Sequence, residues 1–202
     1  MKIDVTYDFV CPWCYLAISS LERAVSSKPH IDVELWPFQL TPEVPETGVD
    51  HDAFFNGRVG EATAKERYRQ MEALAAQAAI PLDYSSIRVL PNTLLAHRVV
   101  RFAQLNGKGL AVLNALMRAH FTGSNIGDID VVARISDTKG VNAELLRTYL
   151  RDEASGPTAQ KIKQHATSHG ICGVPHFEID GVASPGGRTV GQWRTMLLGV
   201  AA

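Results

Sequence analysis

The chain opens on an alternation. Ile3, Val5, Tyr7 and Phe9 take every second position, with Lys2, Asp4, Thr6 and Asp8 between them. A side-chain period of two belongs to an extended strand with one apolar face, so residues 2–9 are expected to form one. The period then changes. Cys14, Ala17, Ile18, Leu21, Ala24 and Val25 recur at spacings of three and four, which predicts a helix over 12–27. Pro12 suits its first turn, where a missing N–H is no loss. The run IDVELWPF at 31–38 reads as a second strand, ended by Pro37 and the loop after it. A β-α-β start is the unit of a parallel sheet.

Residues 50–154 are then almost wholly helical in pattern. GEATAKERYRQMEALAAQA is rich in good helix formers. TLLAHRVVRFAQLNG and LAVLNALMRAHFTG stop at Gly107 and Gly123, as helix ends do. DIDVVARISDTKG opens on capping residues and closes on Gly140, and AELLRTYLRDEA follows. After Gly156-Pro157, TAQKIKQHATSHG reads as a helix and VPHFEIDG as a strand and turn. VASPG reads as a short return, and TVGQWRTMLLGV as a closing helix. The expected order is β-α-β, a block of helices, then α-β-β-α.

Composition narrows the function. With 202 residues and 46% apolar content, the chain can bury a sizeable core as one large domain or one domain with an insertion. The net charge is −1 and the basic residues are scattered, so neither nucleic acid nor a membrane surface is an expected partner. No segment approaches the roughly 20 apolar residues of a membrane span. Asp4 and Asp8 interrupt any secretory leader, and Met1 running straight into strand-like sequence points to the cytoplasm.

Two of the three cysteines sit together in YDFVCPWCYL. Cys11 falls at the strand-to-helix junction and Cys14 one turn into the helix. Helix N-termini carry unpaired N–H groups and partial positive charge, so a Cys11 thiolate should be stabilised. Cys14 is placed to attack a mixed disulfide on Cys11. A zinc site needs about four ligands, and only distant residues such as Cys172 or a histidine could complete one. Metal binding and chance placement stay open beside redox chemistry, which the β-to-α position favours. Cys172 reads as a buried inert thiol, because free cysteine is among the most buried residue types. Asp8 is a candidate proton acceptor, though an exposed carboxylate at a strand end is the simpler reading. Trp13 reads as exposed substrate surface, and His176 as facing either toward Cys11 or away from it.

The order β-α-β with CPWC on the first helix, then a late GVPHF strand at 173–177, resembles a thioredoxin fold. The helical block between its halves resembles the DsbA family. The stretches WPFQLTP (36–42), PNTLLAHR (91–98) and MRAHFTGSNIGDIDVVARI (117–135) resemble its FrnE-like branch, near the 2-hydroxychromene-2-carboxylate isomerases and kappa-class glutathione transferases. The resemblance implies an α/β thioredoxin-like domain from residues 1–45 and 155–202, with a helical domain inserted over 46–154. It implies thiol–disulfide exchange, with Cys11 attacking and Cys14 resolving. Pro12, Trp13, Val174, Pro175 and His176 would line the substrate groove, and the Val174–Pro175 bond would be cis. Asn92 is a further candidate substrate contact, with capping as its other reading, and His97 reads as packing. No metal and no bound organic cofactor are implied. Glutathione as co-substrate, or a thioredoxin-type protein, would supply electrons to exchange with a protein or small-molecule disulfide.

Departures from the pattern keep two other functions open. The isomerase and transferase relatives carry Ser where this chain has Cys11. Related oxidoreductases carry a buried acid six residues before the first cysteine, where this chain has Val5. Thr41, His176 and the SPGG at 184–187 also depart from the usual residues. The rivals are a glutathione-dependent isomerase or transferase of small aromatic compounds, and a non-enzymatic, chaperone-like client-binding module. The residues set neither redox direction nor oligomeric state.

Overall fold

The computed structural model of the chain describes residues 1–28, 30–152, 155–184 and 187–198. Its main sheet has four strands in the order β2-β1-β5-β6. β1 (Lys2–Tyr7) pairs in parallel with β2 (Asp32–Pro37), and α1 (Pro12–Val25) is the crossover between them. β5 (His176–Ile179) runs antiparallel on the other side of β1 and turns into β6 (Val182–Ser184). β1 is therefore an inner strand, paired along both edges. Thr6 is buried beside Ile3, Val5 and Tyr7, where simple alternation would expose it, because Trp36, His165 and His176 crowd the same face of the sheet. The strand stops at Tyr7, two residues before the expected end, and Asp8 to Val10 turn the chain into α1.

The segment between the halves holds α2 (His51–Val59), α3 (Glu61–Gln77), α4 (Leu94–Leu105), α5 (Gly109–His120), α6 (Ile129–Asp137) and α7 (Ala143–Arg151). It is not wholly helical. β3 (Val49–Asp50) and β4 (Val89–Leu90) form a two-stranded antiparallel ribbon. Strands of two residues are too short to show a period. α8 (Ala159–Ser168) precedes β5, and α9 (Val190–Leu198) closes the fold. Pro185 and Gly186 of the SPGG stretch, residues 153–154 at the expected domain boundary, and everything after Leu198 lie outside the described residues.

One continuous cluster of buried side chains joins the sheet to the helices. It runs from Ile3, Val5 and Phe177 through Ile18 and Leu21 of α1 to Leu113 and Leu116 of α5. Each such side chain contributes about 1.5–3 kcal/mol on burial. α1 is buried over more than one stripe because it has neighbours on several sides. Tyr15 stacks on Phe121 with ring centroids 5.2 Å apart, and its hydroxyl donates to the Pro81 carbonyl at 3.1 Å. The Ser19 hydroxyl donates to Asn114 Oδ1 of α5 at 2.7 Å. These contacts hold the N-terminus of α1 rigidly against the helical segment. Gly123 turns the chain after α5 with φ +95°, and a Cβ there would meet the Ser86 carbonyl oxygen at 2.7 Å. Only glycine fits that turn, which seats His120 and Phe121 beside α1.

Candidate active site

The site is built around the first turn of α1. Cys11 is its N-cap residue, with extended backbone angles, and Pro12 is at the first helical position. Cys11 makes no side-chain capping bond, and its sulfur sits at the start of the helix, where N–H groups lack intrahelical partners. The thiol donates to the Val174 carbonyl across 3.6 Å. The Val174–Pro175 bond is cis. Two segments 163 residues apart in sequence thus meet at one sulfur.

The two sulfurs have opposite environments. A hydrogen bond from the Cys14 thiol, together with the backbone N–H groups of Cys14 and Trp13, holds the Cys11 pKa below the ordinary thiol value. Burial and the Asp8 carboxylate oppose that shift without cancelling it. Burial is the main cause that pushes Cys14 well up, and its hydrogen bond and charge interaction with Cys11 push the same way. One thiol is activated and the other is kept protonated, one turn apart.

Cys11 is 5% exposed and Cys14 is fully buried. Cys11 reaches the outside through a cleft of about 580 Å³. Pro12 and Trp13 form one side of it, with Leu40 and Thr41 from the loop after β2. Phe55 of α2 and Met71 of α3 also line it, and the linked rings of Tyr68, Tyr84, Phe121 and His120 form its inner wall. Trp13 is 55% exposed, as its position between the cysteines predicts.

The profile of the DSBA-like thioredoxin domain matches residues 2–197. The chain belongs to this family. Among relatives, it is 25% identical over 189 residues to the uncharacterized protein YwbO of Bacillus subtilis (strain 168), covering 92% of this chain and 90% of that one. The fold superposes on a probable DsbA oxidoreductase of Streptomyces coelicolor with a TM-score of 0.82, at 23% identity over 100% of this chain and 90% of that one. It superposes on the cytosolic disulfide reductase DsbM of Pseudomonas aeruginosa, solved with GSH, with a TM-score of 0.70 at 20% identity. That match covers 100% of this chain and 99% of DsbM. The DSBA-like thioredoxin fold, with its helices set between the two parts of the sheet, is the architecture of this chain.

Four expectations need correction in this DSBA-like frame. Cys172 is exposed, and its thiol donates to the Gly170 carbonyl at 3.6 Å. His176 does not join the Cys11 cleft. It bonds Glu178 at 3.1 Å and lines a separate cavity with Trp36 and His165. Asp8 is not an exposed carboxylate. It is 0% exposed and accepts hydrogen bonds from the N–H groups of Phe9 and Leu40, each at 2.8 Å. His97 Nε2 lies 3.3 Å from the same carboxyl and 2.8 Å from the Phe38 carbonyl, which gives this histidine a packing role. Asn92 faces the loop after β2, where its amide donates to the Val44 carbonyl at 2.6 Å and its oxygen accepts from Leu94 N–H at 3.0 Å. It does not line the cleft.

The Asp8 charge therefore acts on both cysteines from inside the protein, raising both thiol pKa values. Asp8→Asn should lower the Cys11 pKa, because it removes the charge that raises it. The pH profile of Cys11 alkylation, read by mass spectrometry to separate it from exposed Cys172, checks this. A profile that stays in place or moves upward rules out the carboxylate as a brake on the thiolate.

The inner-wall residues were not singled out from the sequence. Tyr68, Tyr84 and His120 come from α3, a connecting 3-10 turn and α5, and no local pattern links them. Among the described residues no group of three or more His, Cys, Asp or Glu side chains is placed to hold a metal ion.

Proposed function

We propose that this DSBA-like protein is a dithiol–disulfide oxidoreductase in which Cys11 attacks and Cys14 resolves. The observation that carries the reading is the split between the two sulfurs. The lowered thiol opens into a cleft, and the raised one lies buried within hydrogen-bonding reach of it. The Cys11 thiolate attacks one sulfur of a substrate disulfide, the S–S bond breaks, and the departing thiolate takes a proton. Cys14 then loses its proton and attacks Cys11 Sγ. That step releases the second substrate thiol and leaves a Cys11–Cys14 disulfide. Two electrons have passed to the substrate, and a thiol such as glutathione or a thioredoxin-type protein restores the pair. Neither step needs a metal or a bound organic cofactor.

In this reading the segments 1–45 and 155–202 supply the sulfurs and the Val174–Pro175 turn. The helical segment 46–154 supplies the facing wall. A cytoplasmic setting, where thiols stay reduced, suits a catalytic pair better than a structural one. The description of DsbM as a cytosolic disulfide reductase solved with GSH supports both that setting and glutathione as a co-substrate.

The test is a trap. Cys14→Ala, in a Cys172→Ser background, should accumulate one mixed disulfide at Cys11 when mixed with oxidised glutathione or a disulfide-bonded peptide. Restoring Cys14 should clear it. Intact-protein mass spectrometry showing no Cys11 adduct, or an adduct that persists with Cys14 present, defeats the assignment.

A further inference from the structure

A second cavity, of about 200 Å³, shares no lining residue with the Cys11 cleft. Its floor is one face of the sheet. Asp4 and Thr6 of β1 point into it, beside Trp36 of β2 and His176 and Glu178 of β5. The register sets Asp4 opposite Glu178, and Thr6 opposite both Trp36 and His176. The last turn of α8 closes the cavity with His165 and His169. The two histidines are four residues apart, so both side chains leave one face of the helix.

The state of these two rings is set by their neighbours. His169 Nδ1 lies 2.9 Å from the His165 carbonyl oxygen. A carbonyl only accepts, so Nδ1 carries the proton and Nε2 keeps its lone pair. A backbone carbonyl orients metal-ligating histidines in the same way. The His165 ring makes no hydrogen bond among the described residues and is held by stacking instead. It lies 4.3 Å from the Trp36 ring at 10°, and Trp36 is itself fixed by donating from Nε1 to Asp4 at 2.9 Å. Burial, then the neighbouring His169, lowers the His165 pKa, so this ring also offers a lone pair at neutral pH. The two ring centroids are 4.2 Å apart, within reach of one ion bound to a nitrogen of each. The surroundings favour a cation. A helix C-terminus carries partial negative charge, and the Asp4 and Glu178 carboxylates act on His165 from the sheet. Lys2, on the same lining, is paired with Asp4 at 2.8 Å, and His176 is bonded to Glu178 at 3.1 Å.

We propose that the last turn of α8 is a site for a divalent transition-metal ion, held by one ring nitrogen each of His165 and His169 at about 2.0–2.1 Å. Imidazole suits copper, nickel and zinc, and among these Cu²⁺ binds a given set of nitrogen ligands most tightly. No group of three or more ligating side chains is placed for a metal among the described residues, so water fills the other coordination positions. The inference goes beyond the exchange reading and does not depend on it.

Thiolates also bind these metals, so the parent protein for the test has all three cysteines replaced by Ser. The Cys172→Ser protein with its Cys11–Cys14 disulfide closed serves if the triple variant does not fold. Cu²⁺ is titrated by calorimetry and followed by electron paramagnetic resonance. One ion should bind per chain, with hyperfine splitting from two nitrogens. His165→Gln and His169→Gln should each weaken binding about tenfold or more and remove one nitrogen from the spectrum. Ca²⁺, which takes oxygen ligands, should not compete. No saturable Cu²⁺ binding, unchanged affinity in the two histidine variants, or displacement of Cu²⁺ by Ca²⁺ overturns the proposal.

Discussion

Cys11→Ser should reduce disulfide exchange to the uncatalysed rate while leaving the fold intact. The replacement exchanges sulfur for oxygen at a side chain that already acts as a weak donor to the Val174 carbonyl, so packing hardly changes. The chemistry does change. A serine hydroxyl is almost fully protonated at neutral pH, and it cannot form the mixed disulfide on which the reaction depends. The loss should be roughly 10³-fold or more in the rate of insulin or small-disulfide reduction. Exposed Cys172 should not rescue it, because no second thiol is placed to resolve an adduct there. Retention of exchange would remove Cys11 from the mechanism. Two other outcomes identify the rivals. Glutathione-dependent turnover of small aromatic compounds that survives Cys11→Ser would favour the isomerase or transferase reading. Undiminished client binding with both cysteines replaced, and no exchange in wild type, would favour a binding module.

A large effect on stability should follow from His120. The ring is buried and neutral in the folded chain, and its pKa is lowered by burial first and by His51 second, to about 3 against an unperturbed 6.5. The unfolded ring takes a proton near pH 6.5 that the folded ring refuses. Stability from this group is therefore full above about pH 6.5 and is lost as pH falls toward 3. At pH 4 the loss should be about 3 kcal/mol, taking about 1.4 kcal/mol for each pH unit. That is a large part of the roughly 5–15 kcal/mol that holds a domain folded. Urea unfolding of wild type and His120→Phe at pH 7 and pH 4 separates this group from the carboxyls that titrate in the same range. The variant should lose about 3 kcal/mol less between the two pH values. Equal losses in the two proteins would mean that the ring is solvated or protonated in the fold.

The elements that position the sulfurs were legible because local patterns encode them. Period two wrote β1, period three to four wrote α1, and Pro12 marked its start. The GVPHF stretch pointed to the turn that meets Cys11, across most of the chain. What escaped depends on contacts between distant residues. Asp8 is buried because Leu40 and His97, 32 and 89 residues away, supply its partners. Nothing in residues 5–10 reveals that. Cys172 is exposed, against the usual preference of its residue type. The two-residue strands β3 and β4 are too short for any periodicity. His120 and Tyr68 meet one cavity only after α3 and α5 pack, so their place in its lining could not be read along either helix.

α3 contributes Tyr68 and Met71 to the lining of the cleft, yet of its 17 residues only Ala64, Met71 and Ala75 are buried. Most substitutions along it should therefore shift folding free energy by no more than about 0.5 kcal/mol. The sulfurs stand on α1, which is buried on several sides and tolerates little change. Selection can thus act on the two walls of the cleft separately. Drift along α3 can try new ligands while the exchange chemistry is inherited unaltered, so descendants of one reaction centre can diverge in diet before they diverge in mechanism.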